Sequence, residues 1–188
     1  PSTMSTATRG KQMVPVLNEC NVHTAVLGNH DFDFGLVQLE KLMKGCNFPW
    51  LLSNVFTKTD KKAPLANGLI KRLICWEGRL IGLIGLVEKE WLATLSCINP
   101  EDVDYRDFVE EGKKLSRELK SAGAEIVIAL THMRLPNDVK LAQEVKDIDI
   151  ILAGHDHHYE IKKTEPHGTL IFKSGTDLNI SVPCGSDV

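Results

Sequence analysis

Two short polar segments, residues 28–33 and 154–158, carry the side chains best suited to chemistry in this chain. The first reads Gly-Asn-His-Asp-Phe-Asp, and the second reads Gly-His-Asp-His-His. Imidazole nitrogens and amide or carboxylate oxygens are ligands for divalent ions such as Zn, Mn, Fe or Ni. Histidine also exchanges protons near neutral pH. The two segments therefore predict a metal site with a proton-transfer group beside it.

The spacing within each segment indicates a separate task for its residues. Asp33 follows His30 by three positions, so its carboxylate can accept the imidazole N–H and fix the tautomer of a His that protonates a leaving oxygen. The side-chain oxygen of Asn29 is free to face a metal. In an extended loop, His155 and His157 point to opposite sides, which suits two neighbouring metals better than one.

Both segments follow short apolar runs that are typical of buried strands. Residues 24–27 precede the first segment and residues 148–152 precede the second, while residues 126–130 lead into His132. Open α/β sheets build their sites in loops at the carboxyl ends of strands. We therefore expect three His-bearing loops to assemble one site at the edge of a sheet.

The apolar periodicity predicts an α/β sandwich with one hairpin. The hairpin joins two strands through Glu77-Gly78, and Asn137 is predicted to cap the last helix. The predicted helices cover residues 3–20, 36–45, 105–122 and 138–146, and the predicted strands cover residues 22–27, 50–52, 69–76, 80–87, 126–130, 148–153 and 170–172.

Composition and charge exclude several classes of protein. A net charge of −3 over 188 residues gives no broad basic footprint for nucleic acid. The longest apolar run, residues 80–87, is too short to cross a bilayer, so no membrane partner is expected. Five cysteines without a Cys-x-x-Cys pair indicate reduced, mostly buried thiols in a cytoplasmic setting rather than a disulfide framework.

Several other polar residues have simpler interpretations. His23 and His167 are interpreted as structural or surface residues, and His158 as a packed or solvated neighbour of the second segment. Asp31 is expected to shape its loop through local hydrogen bonds. Arg134 is interpreted as a surface salt-bridge residue in preference to a contact with a substrate phosphate.

The three His-bearing segments, in this order, resemble motifs of the calcineurin-like metallophosphoesterase superfamily. The run Gly-Asn-His-Asp-Phe-Asp, together with Ser-Gly-Thr-Asp at residues 174–177, is similar to the 5′-nucleotidase branch. The resemblance covers residues 1–180 as a catalytic domain, with residues 181–188 as a tail. It implies mixed sheets flanked by helices.

The resemblance also implies roles for individual residues. Two divalent ions (Mn, Zn, Fe, Ni or Mg) would activate the attacking water and stabilise charge on the phosphoryl group. The implied ligands of one ion are Asn29, His132 and His155, and His157 would bind the other. The implied catalytic histidine is His30, oriented by Asp33. No substrate-binding residue is predicted.

The sequence departs from the family pattern at its start. The family begins with an Asp-x-His motif and continues with a Gly-Asp motif whose Asp bridges both metals. Neither opens this chain, and Pro1-Ser2 resembles the residues just after that Gly-Asp. We therefore expect the chain to lack the first strands of the fold, the bridging carboxylate and most ligands of the second ion.

Three functions remain open on the sequence. The first is a metal-dependent phosphoester hydrolase that resembles 5′-nucleotidases and acts on nucleoside monophosphates or related phosphomonoesters. The second is a truncated, catalytically inactive metal-binding or interaction module of the same fold, which self-associates through an exposed sheet edge. The third is a metal-dependent hydrolase of another ester or amide, which the Gly-Asn-His-Asp context disfavours.

Overall fold

Residues 2–61, 63–95 and 97–175 are described by a computed structural model. The tail predicted at 181–188 lies outside the described residues, as do Thr176, Asp177 and Cys184. The α-helices are α1 Thr3–Thr8, α2 Met13–Glu19, α3 Leu36–Gly45, α4 Phe108–Ser121 and α5 Leu135–Glu144. The strands are β1 Ala25–Val26, β2 Trp50–Leu51, β3 Val55–Thr57, β4 Lys71–Trp76, β5 Arg79–Val87, β6 Val103–Tyr105, β7 Ile126–His132, β8 Ile150–Ala153, β9 Tyr159–Lys163 and β10 Leu170–Ser174.

A six-stranded mixed sheet in the order β4-β5-β7-β8-β10-β9 forms the middle layer. Its four central strands are parallel, and the hairpin partners β4 and β9 form antiparallel edges. Thr131 pairs with Ala153 in register. Because the strands run in the same direction, the loops after β7 and β8 leave the sheet side by side.

One face of this sheet packs against α4 and α5. A row of apolar side chains at matched register positions, Ile84, Ala129, Ile151 and Ile171, is fully buried against the helices. The carboxylate of Asp107 accepts hydrogen bonds from the N–H groups of Val109 and Glu110 and so caps the start of α4. This layer holds the sheet rigid behind the loops.

The opposite face carries a second layer built on the parallel pair β1-β2. The layer approaches closely because Gly85 has no side chain: a Cβ atom there would lie 2.6 Å from Leu51 Cβ. Phe32 and Trp91 are buried in its core, with their rings edge to face at 5.1 Å. This packing places the loop after β1 beside the carboxyl ends of β5 and β7.

Lys173 of β10 is a fully buried cation that joins three neighbouring segments. Its Nζ donates to Met133 O at 2.9 Å, to Gly154 O at 2.8 Å and to Asp138 Oδ2 at 2.7 Å. Thr131 donates its hydroxyl to the other oxygen of Asp138 at 2.6 Å. Burial raises the pKa of Asp138 to about 6, while the bonds from Lys173 and Thr131 favour its charged form. The ends of β7, β8 and β10 are thereby tied together.

The predicted mixed α/β class is confirmed, whereas some predicted boundaries are wrong. The single helix over 3–20 divides at Arg9, whose φ of 52° ends α1, and Pro15 lies in the first turn of α2, where no N–H is needed. The last helix begins at Leu135 instead of 138, with Arg134 at its N-cap. Asn137 therefore does not cap it, and instead donates to Glu88.

Two further expectations are corrected. The strand Tyr159–Lys163 was not predicted. It is an edge strand with three charged residues, so its sequence lacks the alternation of apolar and polar residues that marks a half-buried strand. Cys20, Cys75 and Cys97 are exposed residues instead of buried ones. Cys20 lies at the end of α2, Cys75 lies on edge strand β4, and Cys97 follows the 3₁₀ helix Lys89–Thr94. In the part of the chain that the structure describes, no helix has the length and apolar character to cross a membrane.

Lys173→Met should lower the free energy of unfolding by about 3–5 kcal/mol, because it leaves the Asp138 carboxylate buried without its cation. Urea unfolding followed by circular dichroism measures the change. Lys71→Met is the matched control: Lys71 pairs with Glu118 at the surface, where about two fifths of each side chain is exposed, and its loss should cost less than about 1 kcal/mol. Equal losses for the two variants would contradict the assigned role of Lys173.

Candidate metal centre

Three side chains from three loops bring their donor atoms together at the carboxyl ends of the strands. Asn29 Oδ1 lies 2.8 Å from His132 Nε2, and His132 Nε2 lies 3.2 Å from His155 Nδ1. Ligand atoms that share a metal with bonds of about 2.0–2.2 Å stand about 3 Å from one another. An amide oxygen and two imidazole nitrogens at this spacing fit a divalent ion, and we call them the donor trio.

Local backbone structure positions each member of the donor trio. Asn29 begins the 3₁₀ helix Asn29–Phe32, directly after β1. His132 is the last residue of β7. His155 has φ of 74°, a region that side chains rarely adopt and that is maintained only where the surroundings impose it.

Gly28 allows the His132 ring to lie against the loop after β1. A Cβ at Gly28 would fall 2.7 Å from His132 Cε1 and 2.8 Å from its Nδ1. The Asp31 carboxylate accepts the Gly28 N–H at 2.7 Å and fixes this turn. Burial raises the pKa of Asp31 to about 6, against the opposing effect of that hydrogen bond. Asp31 thus shapes its loop through a local hydrogen bond.

Burial also determines the charge of His132. It lowers the pKa of His132 to about 4, and the neighbouring His155, His30 and Lys173 lower it in the same direction. At neutral pH the His132 imidazole is therefore uncharged, which is the form that binds metals. The electrostatics of the donor trio fit a cation at this place.

His30 and Asp33 form a separate pair on the solvent side of the same loop. Asp33 Oδ2 lies 3.0 Å from His30 Nδ1, and 69% of the His30 side chain is exposed. Residues three apart on a 3₁₀ helix lie above one another, which explains the contact. With Nδ1 directed at Asp33, the His30 Nε2 is directed away from that carboxylate.

His157 is not brought to the donor trio by any hydrogen bond or ion pair between described residues, and its side chain is exposed. His158 is likewise exposed. No three His, Cys, Asp or Glu side chains within residues 2–61, 63–95 and 97–175 gather as a metal-binding group. A metal site here would therefore depend on the amide oxygen of Asn29, and the described residues bring together donor atoms for one ion at most.

Glu88 is a polar residue at this site that sequence analysis missed. It directly follows β5 and is buried, with 2% of its surface exposed. Its carboxylate accepts a hydrogen bond from Arg134 Nε at 2.9 Å, so Arg134 forms a salt bridge with a buried partner instead of a surface one. The sequence feature that could have indicated Glu88 is its position as a carboxylate directly after β5, the most apolar strand of the chain.

Comparison with known proteins supports the same assignment of the fold. Residues 6–159 match the family described as Calcineurin-like phosphoesterase. The snake venom 5′-nucleotidase of Gloydius brevicauda is 31% identical over 153 residues, which are 80% of this chain and 26% of that protein. The NAD 5′-nucleotidase of Haemophilus influenzae is 33% identical over 153 residues, 79% of this chain and 24% of that protein.

A solved structure shows the same fold. The Haemophilus influenzae NAD nucleotidase superposes with a TM-score of 0.77 at 25% identity, over 93% of this chain and 37% of that one. This chain spans about a quarter of the length of the two curated relatives, 26% and 24%.

Gly28→Ala should weaken Zn²⁺ binding by about 10-fold or more, because its methyl group displaces the His132 ring from the donor trio. Isothermal titration with Zn²⁺ measures the affinity, and the unchanged chain should bind one ion at this site. Gly154→Ala is the control, since a Cβ there meets its nearest atom, His132 Nδ1, at an ordinary 3.5 Å. Affinities that differ by less than about 3-fold between the two variants would contradict the assignment.

Proposed function

Because this chain belongs to the calcineurin-like phosphoesterase family, we propose that it carries part of the catalytic site of a metal-dependent phosphoester hydrolase. The observation that carries the proposal is the meeting of Asn29, His132 and His155 beside the exposed pair of His30 and Asp33. The names of the relatives point to nucleotides as the substrate class, and nucleoside 5′-monophosphates are the proposed substrates.

The donor trio supplies the binding half of this function. A divalent ion held by Asn29, His132 and His155 would provide Lewis-acid stabilisation of the phosphoryl oxygens when bound. Two of these ligands end or follow strands of a rigid sheet, which suits a site that must hold its geometry during the reaction. A second ion is part of the proposal, and exposed His157 is its ligand from this chain.

His30 supplies the proton-handling half. Asp33 accepts the Nδ1–H of His30, which holds the ring in one orientation and leaves Nε2 directed away from the carboxylate. In the imidazolium form both ring nitrogens carry a proton, and the Nε2–H of His30 then donates a hydrogen bond or its proton to the oxygen of the leaving group. The pair is exposed and contributes little to folding, so a role in the reaction explains its presence better than stability does.

His30→Ala should slow the release of phosphate from 5′-AMP by about 100-fold or more, because it removes the proton donor. The Zn²⁺ affinity should stay unchanged, because the His30 ring does not belong to the donor trio. Malachite-green detection of phosphate in Mn²⁺- or Zn²⁺-loaded samples measures the rate. His167→Ala is the control, since His167 is an exposed residue of the turn before β10. Equal turnover by both variants would exclude the assigned role, and loss of metal affinity in His30→Ala would place the ring in the metal centre.

A second candidate function, an interaction module that pairs with a copy of itself, is favoured by one observation. Leu152, Ile161 and Phe172 lie side by side in register on the face opposite the helices, and 42%, 50% and 36% of each is exposed. The second layer covers this face near Gly85 and leaves these three apolar residues uncovered. They carry no charge, so a second copy of the same face is a complementary partner.

If this candidate is right, the chain should sediment as a dimer at micromolar concentration, and Ile161→Lys should produce monomers because it places a charge in the apolar contact. Lys162→Glu is the matched control on the same strand, since Lys162 pairs with Ile171 and faces the other side of the sheet. A monomer at every concentration would rule out the dimer.

A further inference from the structure

We propose that Glu88 is a positioning residue that selects the tautomer of His155 in which Nδ1 is free to bind a metal. The inference rests on the proposed metal centre and adds a residue to it that lies outside the three motif loops. Glu88 directly follows β5, the strand next to β7, and its carboxylate lies between His155 and Arg134.

The contacts of Glu88 show a carboxylate whose position is fixed on every side. Oε2 accepts the backbone N–H of Arg134 at 3.0 Å and the side-chain amide of Asn137 at 2.7 Å. Oε1 accepts Arg134 Nε at 2.9 Å. A carboxylate with 2% exposure needs such donors to compensate for its lost hydration. Three donors with good geometry make it a fixed negative charge within the site.

That charge faces one of the two nitrogens of His155. Glu88 Oε1 lies 3.7 Å from His155 Nε2. This separation is too long for a hydrogen bond and too short for a water molecule between the two atoms, so the interaction is a direct electrostatic one. A neutral imidazole carries its proton on one nitrogen only, and a neighbouring negative charge favours the proton on the nitrogen that faces it.

The other nitrogen of the same ring belongs to the donor trio. His155 Nδ1 lies 3.2 Å from His132 Nε2. With the proton on Nε2, the lone pair of Nδ1 is directed toward His132 and Asn29, which is the state a metal ligand needs. A carboxylate that orients a metal-binding histidine through its second nitrogen is a recurrent arrangement in metal sites, and its loss costs about 10–100-fold in metal affinity.

Glu88 also reaches the other histidine of the donor trio, though indirectly. Through Arg134 and Asn137 it fixes the start of α5, whose N-cap Arg134 lies two residues beyond His132. This contact is structural, and it must be separated by experiment from the effect on the tautomer.

The test has two measurements on the 188-residue chain. The first is the ¹⁵N spectrum of the histidine side chains without metal at slightly alkaline pH, with His155 assigned by the signal lost in His155→Gln. The expected result is the Nε2–H tautomer of His155. The Nδ1–H tautomer in the unchanged chain would overturn the proposal, and this result needs no variant of Glu88.

The second measurement is Zn²⁺ titration of Glu88→Gln, which keeps the shape and removes the charge. We expect about 10–100-fold weaker binding, together with a mixture of His155 tautomers. Glu90→Gln is the matched control: Glu90 lies 3.5 Å from the same Arg134 guanidinium but is 63% exposed, and its loss should leave both readouts unchanged.

The outcomes separate this inference from the proposed function. If the unchanged chain binds no Zn²⁺, the metal centre itself is wrong. If it binds Zn²⁺ and Glu88→Gln binds equally well with His155 still in the Nε2–H form, the metal centre stands and the role of Glu88 is wrong. If Glu88→Gln does not fold, the tautomer of the unchanged chain decides.

Discussion

The buried ammonium of Lys173 is the interaction on which the arrangement of the site depends. It binds the carbonyl oxygens of Met133 and Gly154, and these residues directly follow His132 and directly precede His155. Since a buried cation without its acceptors is very costly, the two loops must close onto the end of β10. The distance between His132 and His155 is therefore set by a residue that contacts neither ring.

Two glycines allow the second layer, which carries Asn29 and His30, to lie close to the six-stranded sheet. Gly85 lets Leu51 lie against the sheet, and Gly28 lets the His132 ring lie against the loop that carries Asn29 and His30. At both positions a methyl group would overlap an atom of the neighbouring layer, at 2.6 and 2.7 Å. The second layer is thus held at one distance from the sheet, and the donor trio spans the boundary between the layers.

How much of this structure could be predicted from the sequence depends on how far apart along the chain the interacting residues lie. Polar loops after apolar strands implied that the three His-bearing loops would meet, because parallel strands end at one edge. The choice of Asn29, His132 and His155 as the group that meets was implied by the family resemblance. The hairpin through Glu77-Gly78 and the helix ending at Gly45 were also evident, since turn and cap signals are local. Glu88 was missed because its partners lie 46 and 49 positions further along the chain. No local pattern encodes such a contact.

The same reasoning explains how the proposed site would separate metal binding from proton transfer. Burial keeps His132 uncharged, and the Glu88 carboxylate faces the second nitrogen of His155, so the buried side of the site offers lone pairs. His30 lies on the exposed side, with its Nδ1 at Asp33 and its Nε2 directed away from that carboxylate. Binding a cation and transferring a proton make opposite demands on an imidazole. In the proposed function, the fold would meet both demands by placing similar side chains at different depths along one edge of the sheet.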